Sequence, residues 1–347
     1  VADQQIGGPV GMAAAGPAEP GADPVADPVA EPGVANVHRI VGRSPGQLAW
    51  ARLRRDRVGM VSGAALAFFV LLATAAPVVQ RLYGKGPQER FPATLDRNGT
   101  PLGYAGGMSP EHWLGVQPRL GRDIFIQLVY GLRTSLMVAF VAAVFTIALG
   151  IVVGIVAGYL GGRVDAAVTW LIDLTLAFPF FIFCFAFVPI AAAQFYGPRD
   201  QEASWFRPLL LVLIFALFNW TYTARVVRGQ VLSLREREFV EAARASGAGL
   251  GHVLFRQLLP NLWAPILVIF SLNVPSLVTA EAALSFLGIG VNEPTPDLGR
   301  LISDSVVYLR DDPAYTLTGG VALFLLVLSF NLFGDALRDA LDPKSTR

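Results

Sequence analysis

The stretch LREREFVEAARASGAGLGHVLFRQLLPN, residues 234–261, is polar, arginine-rich and helical in pattern, yet it lies between two segments too apolar to sit anywhere but in a membrane. From Leu232 to Ala245 there is no Gly or Pro, so the whole run is compatible with one helix. Gly247 and the following AGLG stop it, since Gly suits the left-handed conformation after a helix C-terminus. A second short helix is expected at about 252–259, after which Pro260 resets the chain. Leu232, Phe239, Ala242, Ala243 and Ser246 fall near one face at spacings of three, four and seven. So short a helix with so modest an apolar stripe is not stable alone. It must pack against membrane helices, a partner, or both. Ala242 and Ala243 permit close approach, and Glu241 can pair with a basic group. On pattern alone two readings stay open: a solvated amphipathic connector, or a docking element for a water-soluble partner.

Composition supports the membrane setting. The 347 residues are 54% hydrophobic and 15% charged, against roughly 25% charged in soluble domains. Mean hydropathy is +0.52. The single cysteine, Cys184, lies inside an apolar run, so no disulfide can form within the chain. His38, His112 and His252 have no metal-ligand spacing to one another, and no metal site is expected. Residues 1–36 are Ala, Pro, Gly and Val punctuated by Asp and Glu without Lys or Arg. Such a segment buries too little apolar surface to offset its ordering entropy, so it reads as a disordered tail. It has neither the basic start nor the continuous apolar core of a signal peptide.

A spanning helix needs about 20 mostly apolar residues. Six stretches qualify: 58–79, 135–160, 166–193, 209–227, 262–287 and 315–333. The third is interrupted by Asp173, Pro179 and Pro189, and the fifth contains Pro265, Pro275 and Glu281. Lys and Arg near span ends set orientation. Arg39, Arg43, Arg52, Arg54, Arg55 and Arg57 precede the first span; Arg228, Arg235, Arg237, Arg244 and Arg256 separate the fourth from the fifth; Arg338, Lys344 and Arg347 follow the sixth. Both termini and the inserted segment are therefore expected in the cytoplasm. The loop at 80–130 also carries basic residues, but it is long, and the rule weighs short loops most. In the second span Gly150, Gly154 and Gly158 recur every four residues and open one helix face to close packing.

The inserted segment carries a family signature. Glu241, Ala242, Ala243, three residues, Gly247, nine residues, then a QLLP ending resembles the EAA motif of ATP-binding-cassette (ABC) importer permeases, with Leu259 and Pro260 matching its end and Gln257 in place of its Ile. The stretches HWLGVQPRLGRDIFIQLVYGLRTSL, ALSFLGIGVNEPTPDLGRLISD and FNLFGDALRDALDPK resemble the C-type permease subunit of dipeptide and oligopeptide importers, so the likeness covers roughly 41–344. The resemblance implies an all-α integral membrane fold of six transmembrane helices with a cytoplasmic coupling helix between the fourth and fifth, the type I ABC importer permease fold. It divides the chain into the tail (1–36), an N-terminal cytoplasmic segment with the first span (37–79), an extracytoplasmic loop (80–130) and a permease domain (131–343) with the coupling loop at about 232–260. It implies a second homologous permease subunit as heterodimer partner, two ATP-binding subunits, an extracytoplasmic solute-binding protein, a peptide substrate and the lipid bilayer, with no nucleic acid. It implies a bacterial or archaeal inner membrane as location. Glu241, Ala242, Ala243, Gly247, Leu259 and Pro260 become the ATPase-coupling residues, supported by Arg237, Phe239 and Arg244.

No GxxxxGK[ST] phosphate loop occurs, so ATP and Mg are expected on partner ATPase subunits and no cofactor in this chain. Polar groups inside spans are costly and often functional. Ser271, Asn273, Pro275, Thr279 and Glu281 in the fifth span are candidates for the translocation pathway, with Asn219 in the fourth. For Glu281 a purely structural pairing with an Arg near the interface stays open. Asp173 reads as a helix–helix bond. A membrane enzyme would need clustered catalytic side chains, and isolated Asp173 and Glu281 supply none. A permease of the same family for nickel or another small solute, and an ATP-independent channel or ion-coupled transporter, remain the alternatives.

Overall fold

Aspartate caps mark where four of the helices begin. In the computed structural model, which describes residues 45–197 and 200–342, Asp56 accepts the Val58 N–H at 2.9 Å, Asp123 the Ile126 N–H at 3.1 Å, Asp297 the Arg300 N–H at 3.0 Å and Asp312 the Tyr315 N–H at 3.3 Å. Each satisfies an N–H that the helix itself leaves without a partner. The expected tail, 1–36, lies outside the described residues.

The elements are α1 (Pro45–Leu53), α2 (Arg57–Thr74), α3 (Ala76–Tyr83), α4 (Ile124–Leu160), α5 (Gly162–Ala177), α6 (Phe180–Phe195), α7 (Phe206–Leu234), α8 (Glu238–Ala245), α9 (Leu250–His252), α10 (Trp263–Phe286), α11 (Leu298–Val306) and α12 (Pro313–Leu341). No strand occurs among the described residues, only isolated bridges in the folded loop between α3 and α4. Five helical stretches are long and apolar enough to cross a membrane: α2, α4, α7, Leu250–Phe286 and α12. The expected third span makes a sixth only as a bent pair. α5 and α6 meet at 79°, because Pro179 drives Phe178 into extended backbone (φ −78°, ψ 125°) and ends α5 there. The first span likewise stops at Thr74 and restarts with Pro77 in the first turn of α3. The second is longer than its apolar run: α4 has 37 residues, about 55 Å.

The core gathers side chains of α2, α4, α6, α7, α10 and α12 around Leu132, Ala139, Phe215, Leu277, Val278 and Leu326. Its closest seam is α4 against α7. A Cβ on Gly150 would stand 2.9 Å from the Trp220 carbonyl oxygen, on Gly154 2.7 Å from that of Ala224, and on Gly158 2.9 Å from that of Arg228. The four-residue glycine repeat thus meets a four-residue ladder of carbonyls, and only hydrogen fits between the backbones.

Candidate functional site

The helix expected over 232–245 is split. α7 carries the spanning helix to Leu234, a turn at Arg235 and Glu236 follows, and α8 restarts at Glu238 with Arg237 extended at its N-cap (φ −85°, ψ 146°). α8 ends in the glycine stop that its sequence predicts. Gly247 is left-handed (φ +79°), its N–H donates to the Arg244 carbonyl at 2.9 Å, and the Ala248 N–H donates to the Ala243 carbonyl at 3.0 Å. These two bonds form a Schellman motif. A Cβ at Gly247 would meet nothing within 4 Å, so backbone conformation alone requires glycine there.

The buried face differs from the expected stripe. Val240 is fully buried, against Val231, Val253, Leu258 and Leu262, whereas Phe239 is 36% exposed and Ala242 and Ser246 face solvent. Val240 is the one large aliphatic side chain of α8, and that composition was the available signal. Burying it contributes roughly 2 kcal/mol, which makes α8 a lightly held element. Two arginines add to the hold. The Arg244 Nε donates to the Tyr159 hydroxyl at 3.1 Å, and its guanidinium lies 4.8 Å from that ring's centroid. Arg235 donates to the Gly158 carbonyl at 3.2 Å, placing a cation at the C-terminus of α4. Glu241 is exposed and has no side-chain partner among the described residues. The open surface of α8 is therefore Glu238, Phe239, Glu241, Ala242 and Ala245.

Beyond Gly247 the chain does not form a separate short helix. It winds without interruption from Leu250 into α10 through a widened, π-type turn at Val253–Leu258 and a tight turn at Leu259–Leu262. Pro260 explains the irregularity: it offers no N–H, and its ring excludes the regular carbonyl four residues earlier. The Asn261 side-chain amide donates instead to the Gln257 carbonyl at 2.6 Å. Leu259 is half-buried and Pro260 exposed.

The pathway candidates separate by helix face. Asn273 and the adjacent Ser276 line a cleft of about 690 Å³ between α7, α10 and the end of α12, and Asn219 lies on its α7 wall. Asn273 Oδ1 is buried without a hydrogen-bond partner there. Thr279 continues the same face, exposed, with its hydroxyl donating to the Pro275 carbonyl at 2.9 Å. Ser271 turns toward Gly334 of α12, and Pro275 is buried in a helix that passes through it unbroken. Glu281 is fully buried, five residues on from Ser276 and so about 140° further around the helix. It faces the bundle interior. Among the described residues no Arg pairs with it; Ser285 donates to it at 3.2 Å, and its second oxygen has no partner there. Nearby, Asp297 is buried at the start of α11, and the Ser135 hydroxyl of α4 accepts the Leu298 N–H at 3.3 Å. Burial raises Asp297 to about 6, against the opposing bonds from Arg300 N–H and Ser285 and the Arg300 charge. Asp173 pairs with Arg225 at 3.1 Å, a helix–helix bond as expected, and Asp165 forms a two-pronged pair with Arg228 that sequence reading missed.

At the end of the bundle away from α8, the α3–α4 loop is pinned by charge. Asp123 takes bonds from the Tyr83 hydroxyl and from His112 Nδ1, both at 2.8 Å. Glu293 bridges Arg122 at 3.0 Å and Arg300 at 3.1 Å. Burial would raise its carboxyl, but these arginines outweigh it and hold it below the usual range.

Residues 150–347 match the family described as binding-protein-dependent transport system inner membrane component, and residues 44–92 match the N-terminal TM domain of oligopeptide transport permease C. The chain is 36% identical over 301 residues to the dipeptide transport system permease protein DppC of Alkalihalophilus pseudofirmus, covering 87% of this chain and 90% of that one. It is 35% identical over 305 residues to the oligopeptide transport system permease protein OppC of Escherichia coli (88% and 93% covered). It is also 35% identical over 294 residues to OppC of Mycobacterium tuberculosis (85% and 93%). A bundle of long apolar helices, a lightly held polar helix between two of them and these matches lead to one assignment: the chain belongs to the binding-protein-dependent transport system inner membrane components, as a non-catalytic multi-pass permease.

Proposed function

We propose that this permease forms half of the translocation pathway of an ATP-driven importer of dipeptides or oligopeptides, and that α8 is where it receives its energy. The observation that carries the reading is the exposure of α8: an open surface of Glu238, Phe239, Glu241, Ala242 and Ala245 on a helix held by one buried side chain and two arginine contacts. Small and acidic side chains without partners among the described residues suit a cleft on another protein. The absent phosphate loop explains why such a contact is needed, with ATP and Mg bound by two partner ATPase subunits. The full assembly adds a second, homologous permease and an extracytoplasmic solute-binding protein. In this reading α8 and both termini face the cytoplasm, and the loop at 80–130 and α11 face the binding protein. The peptide cargo follows from the relatives, which are dipeptide and oligopeptide permeases by name.

Within the membrane, Asn219, Asn273 and Ser276 line the pathway wall and Thr279 extends it, offering hydrogen bonds that suit the backbone common to all peptides. Ser271, Pro275 and Glu281 shape and hold α10 behind that wall. The deciding measurement is ATP hydrolysis by the reconstituted complex. Stimulation by a peptide-loaded binding protein is expected; its absence would remove the substrate assignment. Glu241→Arg and Gly247→Trp should abolish uptake while membrane insertion and cleft geometry persist. Wild-type uptake in both would remove α8 from the coupling role.

A further inference from the structure

Arg133 lies on α4, two residues before Ser135 and three before the uninterrupted apolar run that starts at Leu136. Its side chain is exposed and makes no hydrogen bond or ion pair among the described residues. Below it the exposed stripe of α4 is apolar: Met137, Phe140, Val144 and Phe145 are 51%, 53%, 44% and 58% exposed. A cation at the edge of the apolar zone needs an anion or water, and no carboxylate among the described residues supplies one.

Two apolar clefts flank Arg133 and share it, together with Met137. One, about 540 Å³, runs between α4 and the start of α7, walled by Val141, Phe145, Trp205 and Leu209. The other, about 460 Å³, runs between α4 and α2, walled by Val70, Ala73, Phe140 and Phe330. Tyr130, one helical turn from Arg133, and Trp205 both line the first cleft, and such amphipathic rings favour the headgroup level of a bilayer. One cation at the mouth of two greasy troughs matches a molecule with one anion and two hydrocarbon chains. We propose that Arg133 binds the phosphate of a membrane phospholipid whose two acyl chains lie in these clefts. The guanidinium supplies a forked donor suited to phosphate, and the troughs bury the chains against α2 and α7. A second permease seated on this face would instead have to bring a carboxylate to Arg133.

The test uses the complete transporter in nanodiscs containing phosphatidylglycerol with a photoreactive acyl chain. Wild-type protein should be labelled on α4 and on the segment around Trp205. Labelling should fall about tenfold in Arg133→Ala, the scale of one lost charge-assisted contact, and stay near wild type in Arg133→Lys. Met137→Trp fills the mouth of both clefts with Arg133 intact and should fall similarly, with assembly checked by size-exclusion chromatography. Equal labelling of wild type, Arg133→Ala and Met137→Trp would overturn the proposal, leaving only non-specific annular lipid. So would efficient cross-linking of Met137→Cys to the second permease, since a subunit interface would then occupy the clefts.

Discussion

The two ends of the bundle treat charge in opposite ways. Where α10 turns into α11, Glu281 and Asp297 are turned inward, buried with Ser135 and Ser285, while Glu293 is clasped by two arginines. At α8 the acids point outward without partners among the described residues, and one buried valine and two arginine contacts hold the helix down. Ser285 donates to one oxygen of Glu281, and one oxygen of Asp297 caps the Arg300 N–H, so burial and these bonds hold both carboxyls in place, with the second oxygen of each lacking a partner among the described residues. A helix with one buried side chain and a few surface contacts opens at little cost, as elements that engage partners do. One end is built to keep its shape and the other to be grasped.

The largest effect should come from closing the seam that joins them. Gly154→Leu forces a side chain against the Ala224 carbonyl and Val227; overpacking of this kind costs about 3 kcal/mol or more. Loss of folded permease in detergent, read by size-exclusion chromatography, is the expected outcome, and a stable variant would mean the seam has slack. Next, Val240→Asp buries a charge beneath α8, at on the order of 3 kcal/mol. Because α8 can lift away, the bundle should survive while protease sensitivity rises within 235–250. Cleavage confined there sharpens the contrast, and global unfolding would erase it. Arg244→Ala removes the Tyr159 contacts, worth about 1 kcal/mol. Faster hydrogen exchange in α8 should follow, with α4 unchanged.

The smallest effect concerns the inward end. Burial raises Asp297 from 3.8 to about 6, so the folded protein binds that proton more tightly than the unfolded chain. The associated stabilisation is complete below about pH 4 and is lost as pH rises through about 6. Asp297→Asn keeps an oxygen to cap the Arg300 N–H but has no proton to lose. Its melting temperature should vary less than wild type between pH 4.5 and 7. Identical profiles would place the titration elsewhere, with Glu281, Ser285 and Arg300 the groups that face Asp297.

Run lengths of apolar residues announced where helices cross, and glycine spacing announced the α4–α7 seam, because both are local patterns with a direct steric meaning. The stop at Gly247 was legible for the same reason. What the chain did not disclose were contacts between residues far apart in sequence: Tyr159 under Arg244, Asp165 with Arg228, and the inward turn of Glu281. A polar residue in a span announces that it needs a partner, and its helix face decides whether that partner is substrate or protein. The face depends on where the neighbouring helices stand. The break in the third span shows a similar limit: Pro179 announced an interruption, but the size of the bend, 79°, was not legible from it.

The length of α4 has one more consequence. It touches the start of α11 at Gly131 and Ser135, and receives Arg235 and Arg244 at Gly158 and Tyr159. About 40 Å of continuous helix separates these contacts. A rod of that length, tilted by about 5° around one end, moves the other by about 3.5 Å, roughly the thickness of one extended residue. With glycine carrying the contact to α7, few flexible side chains lie between the rods to absorb such a stroke. A small push on α8 arrives at the far surface as leverage.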